Sequence, residues 1–336
     1  MAGIIFSKSS GLQDSIYGKS EAPIKAFLEE AMKTYTDGSF IEKVFKMIDS
    51  DNYAEKFGSL TSMAQGFLPV GEGGAYPEDE RQEGFSKVLE HDTWKDKFVI
   101  TQEMIEDSKI LDLNRTGARG FIDAFTTTRE KYGAQLLVGA VAGTTTKYKG
   151  KTMDCTSNDG VSLFSTAHPS KTGNTGNQSN KFSNAISADA IGLVETAMQN
   201  FTDDNGEVLT ITPDTIIIPN DAKLKKDVFA ALGAESAPDS GNNAYNYIVG
   251  RYNVLISPYL NGLVKGSDKP YFMFDSNYNE NYNGLLFLDR IPLTVRTYID
   301  DNTDNNVWAG RARFVCGAND WREIAVGGVT GGTTLN

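Results

Sequence analysis

The sequence predicts an α+β fold, built on one long helix with strands gathered before and after it. Three stretches carry that prediction. From Arg115 to Ala142, Phe121, Phe125, Tyr132 and Leu136 recur at helical spacing, with Arg119, Asp123, Arg129 and Lys131 on the other positions. Residues 53–103 read as two strands joined by a tip of glycine and acid, GEGGAYPEDERQEG at 71–84. From Lys269 onward the chain is strand-rich, with alternation in GLLFLDRIPLTVRTYI and NVWAGRARFVCGANDWREIAVGG.

Residues 1–20 show no periodicity and read as an arm. Glu21 to Tyr35 is amphipathic, with Ile24, Phe27, Leu28, Ala31, Met32 and Tyr35 on one face. Ser39 reads as the N-cap of a second short helix carrying Phe40, Ile41, Val44, Phe45 and Ile48. The long helix, about 28 residues, spans ~42 Å at about 1.5 Å per residue. Gly133 and Gly139 each weaken it by up to ~1 kcal/mol relative to alanine, so packing must hold its second half. Lys147 to Asn184 is mostly loop, and SKTGNTGNQSN at 170–180 reads as surface and mobile.

A helix is expected at Ala188 to Phe201 and a buried strand at Thr215 to Ile218, stopped by Pro219. A helix from Asp221 to Leu232 and a strand from Tyr252 to Ile256 follow. Asp300 to Asn306 turns the chain between the two closing strands. The tail GGVTGGTTLN is too glycine-rich to fold alone. The implied segments are 1–52, 53–103, 104–185, 186–270 and 271–336.

Composition narrows the function. The chain has 336 residues, 40% of them hydrophobic, enough for a sizeable core. No apolar run approaches a membrane span, and the N-terminus lacks the pattern of a secretory signal. A net charge of −12 argues against a dedicated nucleic-acid binder. Two cysteines, Cys155 and Cys316, give no disulfide framework and fit a reducing cytoplasm.

Catalytic and metal constellations find little support. Ser165 and His168 stand three apart, but no G-x-S-x-G elbow accompanies them. His91 reads as a hydrogen-bonded structural histidine. Gly71, Gly73 and Gly74 are surrounded by acids that would repel phosphate, and no Gly-Lys-Ser/Thr follows. Asp300, Asp301 and Asp304 lack the glycine and glutamate of a calcium loop. No catalytic residue, cofactor or metal is expected. Lys147, Lys149 and Lys151 form a small basic cluster after the long helix.

The order of elements is arm with helix, projecting hairpin, long helix, central α/β block and closing strands. That order, over nearly the whole chain, resembles the major capsid protein of tailed bacteriophages, the Hong Kong 97-type fold. Leu163-Phe164-Ser165-Thr166-Ala167-His168-Pro169 is similar to the segment after the long helix in Mu-like major head proteins. Tyr271 to Asp275 followed by Gly284 to Leu288, and Asp320-Trp321-Arg322, also resemble that group.

The resemblance implies a peripheral domain built by the long helix and last strands, and an axial domain at 186–270. It implies self-assembly as hexamers and pentamers into an icosahedral virion shell, formed in the host cytoplasm around double-stranded DNA held without sequence preference. The chain starts almost directly with the arm, so a separate scaffolding protein is implied, with a portal and no membrane partner. The hairpin becomes an extended loop lying on a neighbouring subunit, with Phe67, Leu68, Val70, Tyr76, Glu78 and Arg81 as contacts. Arg115, Arg119, Lys147, Lys149 and Lys151 become the genome-facing cations. Residues 71–84 contain no lysine, so a covalent cross-link through the tip is not expected. An encapsulin-like nanocompartment shares the fold, and an acidic soluble hydrolase is the alternative from another class.

Overall fold

The computed structural model describes residues 5–6, 39–59, 67–78, 84–101, 103, 110–173, 176–233, 248–265 and 268–335. The amphipathic stretch Glu21 to Tyr35 lies outside them. The chain forms two compact units that exchange segments along the sequence. The first holds Met1–Glu55, Leu89–Gly133 and Phe287–Cys316; the second holds Lys56–Val88, Ala134–Leu286 and Gly317–Asn336.

In the first unit, Ser39 caps a short helix α1, Phe40–Val44, by accepting from the Glu42 amide. The helix stops sooner than its apolar spacing suggested, and Ile48 falls in strand β2, Lys46–Asp49. The long helix α2 runs from Ile110 to Ala142, 33 residues, and starts five residues before the stretch read from sequence. Its Phe121 and Ile122 pack with Ile100, Leu293, Val295 and Trp308.

The sheet beneath has the order β1-β11-β12-β5, with β2 also paired to β11. Here β1 is Ile5–Phe6, β5 Asp92–Ile100, β11 Leu285–Asp300 and β12 Asn305–Ala318. Trp94 stacks on Phe314 at 5.1 Å and Phe98 on Trp308 at 5.9 Å. The Arg129 guanidinium forms a buried bidentate pair with Asp289, at 2.6 and 2.8 Å, and lies 4.6 Å above the Phe287 ring.

The second unit is built on β13-β10-β8-β9. Strand β8 is Thr215–Pro219, β9 Asn253–Ser257, β10 Tyr271–Phe274 and β13 Ile324–Gly327. The pair β8–β9 is parallel, which requires the crossover through helix α4, Ala222–Gly233. Helix α3, Ala188–Gln199, is capped by Ser187.

The sequence segment 271–336 does not stay together. Tyr271 to Phe274 pair with β8 and with β13. All four of these residues are buried, as a central strand covered on both faces requires. The closing strand read as 306–328 is broken after Ala318. There the Asp320 carboxylate accepts from the Trp321 and Arg322 amides and turns the chain.

Two local expectations are corrected. The start of the stretch from Lys147 read as mostly loop belongs to a hairpin of β6, Thr145–Tyr148, and β7, Lys151–Asp154. Its two-residue turn, Lys149-Gly150, has φ of 47° and 84°, the sign pattern a tight hairpin needs. Asn180, in a stretch read as mobile surface, is buried; its amide nitrogen lies 2.7, 3.1 and 3.1 Å from the carbonyls of Leu163, Trp321 and Ile324. The tail is pinned to 179–184, with Asn184 and Leu335 exchanging hydrogen bonds and Thr333 bridging Phe182.

Candidate assembly surfaces

The projecting segment begins from a short pair, β3, Ala54–Gly58, with β4, Ser86–Glu90. The rest of the second predicted strand departs into β5 and pairs with β12, from Asp92↔Phe314 to Ile100↔Asn306. The base of the segment is tied down within the second unit. The Lys87 ammonium is buried; it donates to the Thr156 carbonyl and meets Asp154 at 3.1 Å. Burial pulls the Lys87 pKa down, against the attraction of Asp154. Lys171 donates to the Gly84 carbonyl at 2.5 Å and covers the Phe85 ring.

Beyond that base every described residue from 67 to 78 is exposed. Phe67 is 109% exposed and Tyr76 97%, with Leu68 and Val70 also outward. Glu78 is exposed as well, and Arg81 lies outside the described residues. Gly73, at φ 79°, allows the turn that the Gly74 amide closes onto the Gly71 carbonyl. An aromatic pair of this size, left wholly in water, is a poor element of a self-sufficient subunit.

The candidate cations fall on two elements. Lys147, Lys149 and Lys151 are exposed on the β6–β7 hairpin of the second unit. Arg119 is exposed on α2 in the first unit; Arg115 lies on that helix, with its side chain outside the described set. A second basic surface escaped the sequence reading. Lys95, Lys97, Arg296 and Arg311 surround a groove of about 650 Å³ on the sheet of the first unit. Its signal was present as period-two charge in Lys95-Asp96-Lys97 and Arg311-Ala312-Arg313.

The histidine that suggested a base is structural. His168 Nδ1 meets Asp159 at 2.6 Å, Nε2 meets Asn180 at 3.1 Å, and the ring stacks on Trp321 at 4.2 Å. The Ser165 hydroxyl accepts from the Ala167 amide. Both ring nitrogens are thus committed to fixed partners. Burial pushes the Asp159 carboxyl up, but hydrogen bonds from His168, Ser157 and the Val161 amide outweigh it and hold it low. His91 is buried with Nε2 at 2.9 Å from Ser50. Burial drives the Cys155 thiol up to about 12, which makes it a poor nucleophile. Among the described residues no cluster of three metal-ligating side chains occurs.

The described residues thus give a long helix packed on a sheet, a second α/β unit and an exposed loop. The family model described as phage capsid protein matches residues 85–327, and the chain belongs to that family. The chain is similar to the capsid of cyanophage P-SCSP1u, at 10% identity over 89% of each chain with a TM-score of 0.51. It is also similar to the capsid of an empty GTA particle, at 11% identity over 85% of this chain and 88% of that one, TM-score 0.51. The mature capsid of bacteriophage PhiM1 matches at 9% identity over 88% of each chain, TM-score 0.50. No curated protein matches the sequence. The fold is the Hong Kong 97-type α+β fold. The protein is a structural major capsid protein of a bacteriophage head rather than an enzyme, and it associates with itself in the virion.

Proposed function

We propose that the chain assembles as hexamers and pentamers into an icosahedral head around double-stranded DNA, in the bacterial host cytoplasm. A separate scaffolding protein directs the size and a portal occupies one vertex. Residues 186–270 supply the axial contacts, and residues 104–185 with 271–336 supply the periphery. Lys147, Lys149 and Lys151, with Arg115 and Arg119, face the packaged genome. They contact it without sequence preference and weakly, as a chain of net charge −12 requires.

The observation that carries this reading is the complete exposure of Phe67 and Tyr76 on a loop whose base is fixed. Their burial on a neighbour, at about 25 cal/mol per Å², stabilises assembly and leaves the subunit unaffected. Deleting Glu72 to Glu83 is expected to leave a soluble subunit with little change in thermal unfolding and to abolish shells on electron microscopy. Unimpaired shells, or a subunit that unfolds without the loop, would contradict the assignment.

A further inference from the structure

The chain leaves the first unit after Glu55 and returns to it at Leu89, through the paired strands β3 and β4. A buried histidine stands at that root. His91 follows β4, is 5% exposed and donates its amide to the Tyr53 carbonyl at 3.2 Å. Its Nε2 lies 2.9 Å from the Ser50 hydroxyl. That hydroxyl donates its own proton to Glu55 at 2.8 Å, and Glu55 also accepts from Asn52 at 3.0 Å. Ser50 Oγ is thus left to accept from the ring, which fixes the neutral imidazole as the tautomer with its hydrogen on Nε2. Nδ1 remains buried, with no hydrogen-bond partner among the described residues. A proton added there is a donor without an acceptor, away from bulk water.

The charges around the ring oppose that proton. Arg290 and Arg313 face it with like charge, Glu55 and Asp289 with opposite charge. Asp289 is already committed to Arg129 through two hydrogen bonds, and Glu55 to Ser50 and Asn52. Burial first, then Arg290 and Arg313, hold the imidazole below its ordinary value of 6.5. The segment tied to the ring is lightly held, since Asp51, Asn52 and Tyr53 are all exposed.

We propose that His91 is an acid-sensitive latch: the neutral ring ties residues 50–55 to the junction of β4 and β5, and the protonated ring releases them. Release frees the root of the projecting segment and leaves the sheet β13-β10-β8-β9 untouched. The closed form excludes a proton that the released ring accepts at its ordinary value. Closure is therefore complete above pH 6.5 and is lost as pH falls below it. The latch belongs to the single subunit, and it holds or fails whether or not the chain forms shells.

Hydrogen exchange of the full-length soluble chain tests this. After correction for intrinsic rates, peptides covering 49–55 and 89–92 are expected to exchange up to ~10-fold faster at about pH 5.5 than at about pH 7.5, the limit for one proton taken up at about 6.5. Peptides covering β8 and β10 are expected to keep their rates. H91Q, whose side-chain amide donates to Ser50 but takes up no proton, is expected to abolish the pH dependence at the root. The same dependence in H91Q, or none in the wild type, would overturn the latch. If H91Q fails to fold, the wild-type ring is read directly by nuclear magnetic resonance of labelled histidine. The chain has two histidines, and the stacking of His168 on Trp321 sets its ring signals apart from those of His91. His91 is expected to titrate below 6.5, and a midpoint at or above that value would contradict the proposal.

Discussion

At the scale of single residues, buried charge decides where the subunit is vulnerable. Arg129 and Asp289 have side chains only 9% and 6% exposed and satisfy each other through two hydrogen bonds, under aromatic rings. Removing one partner strands the other charge. Arg129→Ala or Asp289→Ala is expected to cost about 3–5 kcal/mol in urea unfolding, and the double replacement R129M/D289L much less than the sum. Additive losses would show that the two are not coupled.

Glu323 behaves differently. It is fully buried, and neither carboxylate oxygen has a partner among the described residues. Burial first, then the repulsion of Asp320, holds its carboxyl well above the ordinary value of 4.5. The folded state therefore keeps a proton that the unfolded chain releases. Stability from this group is complete below pH 4.5 and is lost as pH climbs toward the folded value. Wild type is expected to lose stability relative to E323Q across that window, by about 1.4 kcal/mol for each unit between the two values. Parallel pH profiles of urea midpoints would contradict this.

Little of this residue-level network was legible beforehand. His168 and Trp321 stood in two motifs far apart in sequence, and nothing in their spacing says that the rings stack. Asn180 sits in a polar, low-complexity run that gives no sign of burial, because its amide satisfies backbone carbonyls from three remote positions.

Among elements, the long helix shows how one residue type serves two ends. A Cβ at Gly139 would stand 2.5 Å from Thr146 and 2.7 Å from the Cys155 sulfur, because the β6–β7 segment packs directly on the helix. A Cβ at Gly120 meets nothing within 4 Å. Gly120→Ala is expected to stabilise by up to ~1 kcal/mol through helix propensity. Gly139→Ala is expected to destabilise by ~1–3 kcal/mol through overpacking, with thermal unfolding as the readout for both. The same sign at both sites would mean that propensity alone governs the helix.

Elements with strong periodicity were readable: the long helix, the buried strand ending at Pro219 and the two closing strands. Those without it were not. Helix α5, Ser276–Tyr282, has the polar sequence SNYNENY, and its signal is the Asp275 cap on the Tyr278 amide. The β6–β7 hairpin turns on Lys-Gly rather than Asn-Gly, so its turn chemistry gave no strong cue.

For the whole molecule, the order of elements carried the family, since that order survives where side chains do not. The basic groove was harder to see because it gathers Lys95, Lys97, Arg296 and Arg311 from three strands whose register the sequence leaves open. The exposed loop, by contrast, was legible as acid and glycine that no core accepts. The proposed shell requires that the exposed loop of one copy be covered by another. Electron cryo-microscopy of particles from cells expressing the chain measures this directly. The expected result is closed shells in which residues 67–78 of each copy lie buried on an adjacent copy. Shells with that loop still bare, or its folding back on its own chain, would contradict the central claim.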